Sequence, residues 1–124
     1  MKRVVLHPSA FADWFEGEGA APLRLEFEAG HLDVIVPRGF LVDTLGVFSA
    51  RGWSKGGLAS AGNELTRIGF RVMDAPPSEL VEWLTRGLPA SVASYAALAS
   101  WLDAPIAVTD PDLRRAVKTL PQAV

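Results

Sequence analysis

The sequence predicts an α/β protein, a three-layer α/β/α sandwich around a central sheet of four or five mainly parallel strands, in a single domain over residues 1–124. Three observations carry this. Short apolar runs alternate along the chain with longer stretches at helical spacing, and strands that alternate with helices build parallel sheets covered on both faces. The runs are apolar at successive positions, as strands buried on both sides are. A chain of 124 residues has room for one domain.

Val4-Val5-Leu6 is the first strand, closed by His7-Pro8. Pro8 to Phe15 reads as a helix, with proline acceptable in the first turn and Gly17 near the stop. Residues 17–31 hold Gly17, Gly19, Pro22 and Gly30, so any element there, around Leu23–Glu28, is short. Asp33-Val34-Ile35-Val36 is the second strand, stopped by Pro37. Between Arg38 and Arg51 the period changes, and Leu41, Leu45 and Phe48 fall on one helical face with Gly52 as C-cap. Ser54 caps a helix through about Arg67 that carries Leu58, Leu65 and Ile68, with Gly69 as its stop. Phe70 to Met73 is a third strand, and residues 74–78 open a helix bearing Leu80, Val81 and Leu84. Ala90 to Leu102 is a long helix so rich in Ala and Leu that most of its circumference is expected under protein. Pro105 to Val108 is the fourth strand, Asp110-Pro111 starts a last helix through Val117, and the tail adds an edge strand near Ala123.

Apolar residues make up 49% and charged residues 21%, the balance of a chain that folds. Twelve basic against fourteen acidic residues leave a net charge of −2, which gives no whole-chain hold on a nucleic-acid backbone. With no cysteine, disulfides, thiolate chemistry and Cys-based metal sites are excluded. No apolar run approaches the ~20 residues of a membrane span, and His7-Pro8 interrupts the first run too early for a signal peptide. A cytoplasmic protein without membrane contact is the expectation.

In a parallel sheet, reactive groups collect beyond the carboxyl ends of the strands, which places His7, Pro37 and Asp110 together. With the elements in that order, three segments carry a likeness: Val4 to Phe11; Val34-Ile35-Val36-Pro37 with Asp43 six residues after the proline; and Tyr95 to Asp110. Together they resemble a PIN domain of the short VapC toxin type, over nearly the whole chain. The resemblance implies a toxin–antitoxin ribonuclease whose carboxylate cluster binds Mg²⁺ or Mn²⁺, an antitoxin peptide and RNA as partners, and a homodimer. Clustered carboxylates tolerate their mutual repulsion when a hard cation sits between them, and the metal generates the attacking hydroxide.

Against that family pattern the acidic quartet is incomplete. The first-strand aspartate is His7, the glutamate of the acidic helix is Asp43, and the third carboxylate falls on Val92. Asp110 stands as in the family, with Asp112 near it and the hydroxyls of Ser9 and Thr109 as auxiliaries. The expected metal set is therefore Asp43, Asp110, Asp112 and His7, with Asp43 and Asp110 catalytic. Each has a plainer role beside it. His7 as a ligand tilts the site towards Mn²⁺ or Zn²⁺; otherwise it bonds to backbone or solvent. Asp43 is otherwise an exposed helix carboxylate. Asp110 before proline is a good N-cap, and Asp112 suits the helix dipole.

Arg114, Arg115 and Lys118 read as a solvated face more than a phosphate grip. Trp14, Trp53, Trp83 and Trp101 read singly as core or domain edge, and as a set favour self-association or a groove for a partner helix. The clusters Gly17/Gly19 and Gly52/Gly56/Gly57 read as turns. Two functions follow: a module with weakened or lost catalysis that binds RNA or protein, or an active Mn²⁺/Mg²⁺-dependent endoribonuclease with an altered site. A third reading, a chance likeness, would be favoured by a non-parallel sheet.

Overall fold

The computed structural model describes residues 1–17, 21–118 and 120. Their order is β1 (Lys2–Leu6), α1 (Pro8–Glu16), α2 (Ala21–Glu28), β2 (Leu32–Val36), α3 (Phe40–Ala50), α4 (Lys55–Ile68), β3 (Arg71–Val72), α5 (Pro77–Thr85), α6 (Ala90–Leu102), β4 (Ile106–Ala107) and α7 (Pro111–Ala116). The strands form one sheet in the order β3-β2-β1-β4, parallel at every pairing. This is the three-layer α/β/α fold that the alternation of elements predicts. The edge strand expected near Ala123 lies outside the described residues, as does Gly19.

β1 starts at Lys2, two residues before its apolar run, because Lys2 and Arg3 pair in register with Leu32 and Asp33 of β2 while remaining exposed. Val4, Val5 and Leu6 are buried. β1 lies between β2 and β4, and α6 packs against both β1 and β4. A strand so placed needs apolar side chains on both faces. β3 and β4 are shorter than expected, two residues each. On β3, Arg71 reaches across to Asp33 of β2.

Residue chemistry explains the helix ends. Gly17 closes α1 with φ +80 and Gly69 closes α4 with φ +77, a conformation that costs side-chain-bearing residues about 1 kcal/mol. Ser54 accepts from the Gly57 N–H at 3.1 Å and caps α4. Gly56 and Gly57, expected in a turn, lie in the first turn of that helix.

Two expected faces are corrected. In α3 the buried residues are Phe40, Thr44 and Phe48, and Leu41 is 43% exposed. Phe48 is buried as expected and Leu45 packs half-buried against the core, but Phe40 and Thr44 take the innermost places and Leu41 turns outward. In α5, Val81 and Leu84 are exposed and Trp83 is the buried member. The tryptophans divide: Trp14 and Trp83 are buried, Trp53 is half-buried and Trp101 is 45% exposed.

Phe11 sits at the centre of an aromatic cluster, with ring centroids at 5.6 Å from Trp14, 5.7 Å from Phe40 and 5.7 Å from Phe70. Phe48 stacks on Trp53 at 4.2 Å. α6 is the other half of the core. Val92, Ala93 and residues 95–99 are buried, the small alanines letting the helix lie close to the sheet.

Candidate functional site

Because the strands are parallel, β1, β2 and β4 deliver their carboxyl ends to one edge of the sheet. His7 follows β1, Pro37 follows β2, and Val108, Thr109 and Asp110 follow β4. Asp43 lies in the first turn of α3, and α6 passes the same edge with Ser91, Val92 and Tyr95.

His7 is the N-cap of α1 and is buried. Its Nδ1 accepts from the Ser9 N–H at 3.1 Å, and the Ser9 hydroxyl stands 3.0 Å from the same nitrogen. The Ser9 oxygen in turn accepts from the Thr109 N–H at 3.2 Å, so its own proton is free to point at His7. Two donors on Nδ1 assign the ring proton to Nε2. Burial pushes His7 down to about 4; a Ser91 backbone hydrogen bond and the charges of Asp43 and Asp110 act the other way and are outweighed. The ring is neutral at pH 7.

The His7 ring meets the Tyr95 ring edge-on at 4.9 Å. The Tyr95 hydroxyl donates to Asp43 Oδ2 at 2.7 Å, the length of a charge-assisted bond. Burial first, and then Asp43, hold the Tyr95 phenol well above its ordinary range. A continuous series of contacts thus runs Asp43, Tyr95, His7, Ser9, Thr109. It ties together α3, α6, the β1–α1 junction and the segment after β4.

The other predicted site residues are placed differently. Asp110 is exposed, and its Oδ1 accepts from the Asp112 and Leu113 N–H groups at 2.9 and 3.2 Å, capping α7. Asp112 is exposed and paired with Arg115 on its own helix. Val92 is 2% exposed and offers no ligand atom. The structure brings the charges of Asp43 and Asp110 to bear on His7, and leaves Asp112 on the outer surface of α7. Arg114 and Lys118 are exposed.

These residues do not fit a resident Mg²⁺ or Mn²⁺. Among the described residues, no three His, Asp or Glu side chains gather in a way that could hold a metal ion. Octahedral oxygen coordination needs carboxylates free to turn inward. Here Oδ2 of Asp43 is taken by Tyr95, Oδ1 of Asp110 by the α7 N-terminus, and Nδ1 of His7 by Ser9.

Tyr95 is the member that sequence reasoning passed over. It is the one tyrosine of the chain, set in a helix otherwise of Ala, Ser, Leu and Val with Trp101 near its end. That isolation was a usable signal, since a buried phenol needs a polar partner.

The fold and the rim together define a parallel α/β sandwich with a polar site at the carboxyl ends of its strands. No family model matches the chain, and no curated protein does. Among solved structures it is similar to PAE2754 from Pyrobaculum aerophilum, with a TM-score of 0.66 and 20% identity, over 100% of this chain and 84% of that one. At that identity the likeness is one of fold.

Proposed function

We propose that this chain is a PIN-like module of VapC type whose metal-dependent ribonuclease chemistry is lost, and that it works by binding a partner. The single observation that carries this reading is the state of the acidic rim. Where a nuclease of that type needs convergent carboxylates, this chain has a neutral, internally bonded His7, a buried Val92, and an Asp43 held by Tyr95.

A protein segment suits the binding role. A groove of about 580 Å³ between α1, α2 and α4 has Trp14, Phe15, Phe27 and Ile68 on its walls. Its margin carries the ion pairs Arg24–Glu28 and Arg67–Glu64. An apolar floor with a charged margin of both signs accepts an amphipathic helix, such as an antitoxin-type peptide.

The second reading is an active Mn²⁺- or Mg²⁺-dependent endoribonuclease. It is favoured by one observation, that the charges of Asp43 and Asp110 both act on His7. RNA cleavage assays with Mn²⁺ and Mg²⁺ separate the two. The expected result is no cleavage above that of Asp110→Ala; metal-dependent cleavage abolished by Asp110→Ala would establish the second reading.

A further inference from the structure

Divalent cations hold acidic crevices together by cross-linking elements that would otherwise repel one another. The crevice of this chain is cross-linked already. Tyr95 brings an O–H to Asp43. His7 packs its ring on Tyr95 and is fastened through Ser9 to the Thr109 N–H, one residue before Asp110. Four segments from distant parts of the chain meet in this series, every polar link is 3.2 Å or shorter, and His7, Ser9 and Tyr95 are all buried.

The Asp43 side also resists re-use. Its carboxylate leans back over the start of its own helix, close enough to Gly39 that a β-carbon there would stand 3.5 Å from Oδ2. That oxygen lies between the helix start and the Tyr95 hydroxyl. Turning that oxygen towards a shared cation breaks the 2.7 Å bond and leaves a buried phenol without a partner, a cost that ligation by the same oxygen has first to offset.

We propose that Tyr95 and His7 form a built-in lock that takes the structural place of a bound cation, making this crevice complete without metal and closed to it. This goes beyond the reading above, because it assigns the closure to two particular side chains and holds whether or not the chain descends from a nuclease. The lock has two consequences. Stability is indifferent to divalent ions, and the Tyr95 and Asp43 side chains are energetically coupled across the crevice.

The experiment measures unfolding of the full chain in EDTA and in millimolar Mn²⁺, for the wild type, Tyr95→Phe, Asp43→Ala and the double variant, with His7→Asp as a fifth protein. The wild-type midpoint is expected to be the same in EDTA and Mn²⁺. Tyr95→Phe lowers the folding equilibrium constant by about tenfold or more in the wild-type background, the scale of a hydrogen bond to a charged group. In the Asp43→Ala background it changes that constant by no more than about threefold, because the partner is already gone. His7→Asp opens the lock and adds a carboxylate beside Asp43 and Asp110, so its midpoint is expected to rise with Mn²⁺ by mass action.

A saturable rise of the wild-type midpoint with Mn²⁺ overturns the lock, as does an additive Tyr95–Asp43 cycle. The cycle uses conservative truncations and decides the matter even if His7→Asp does not fold. Failure here is distinguishable from failure of the functional reading. A wild type that binds Mn²⁺ but cuts no RNA overturns the lock and leaves the binding module standing. Cleavage of RNA with no response to Mn²⁺ overturns the module and leaves the lock intact.

Discussion

Lowering the pH from 7 to 5 presses a proton on a histidine that the fold has arranged to keep neutral. In the unfolded chain His7 takes up a proton around its ordinary value of 6.5, whereas in the fold it does so only at about 4. The unfolded state therefore binds more protons between these values, and stability falls as pH falls through that window. The contribution is fully present above 6.5 and gone below 4. Worked from the two values, the loss is about 2 kcal/mol between pH 7 and pH 5 and about 3 kcal/mol in all. His7 is 5% exposed, so solvent screening takes little from it. Urea titrations at both pH values, followed by tryptophan fluorescence, read this directly. His7→Asn serves as the reference because an asparagine oxygen can still cap α1 by accepting the Ser9 N–H. Carboxylate titration is common to both proteins, and His31 is exposed, so the difference between them isolates His7. A wild-type loss within about 0.5 kcal/mol of the variant's, a margin typical of such comparisons, would refute the claim that burial controls this imidazole.

Two further outcomes follow from packing and capping. Phe11→Ala empties the centre of the aromatic cluster and is expected to cost about 3–5 kcal/mol, measured as a fall in urea midpoint with unchanged slope; a cost under about 1.5 kcal/mol, the range of a volume-conserving swap, would mean that the cluster collapses around the gap. Asp110→Ala removes the cap of α7 and is expected to cost about 1 kcal/mol, equally in EDTA and in Mn²⁺; a cost that appears only with Mn²⁺ present would show Asp110 acting as a ligand.

Much of the frame was legible because local chemistry and global fold agree. α6 is bounded at Ala90 and Leu102 as its composition implies, Ser54 and Gly69 mark both ends of α4, and the β-branched apolar runs at Val4 and Val34, each closed by a proline, fit buried strands better than helices. The exact face of α3 was hidden because its innermost stripe runs through Thr44, a residue that apolar counting skips in favour of the neighbouring Leu45. Thr44 is fully buried with its hydroxyl unpaired among the described residues. At the rim, His7 and Asp110 could be placed from strand direction alone. The part played by Tyr95 could not, because its partner lies 52 residues away, and only the docking of α6 on β1 and β4 brings the phenol within reach of the start of α3. Strand ends were read one or two residues wrong where pairing depends on the neighbour's length, as at Lys2 and Val108.

The β3 side of the sheet has a consequence for how copies of this molecule can meet. Sheets propagate between molecules when a long, flat margin offers unpaired backbone groups. Here that margin is two residues long, and one of them is an arginine tethered to Asp33 on the adjoining strand. A visiting strand would find little ladder to extend. On that flank so brief a margin guards the molecule against runaway stacking.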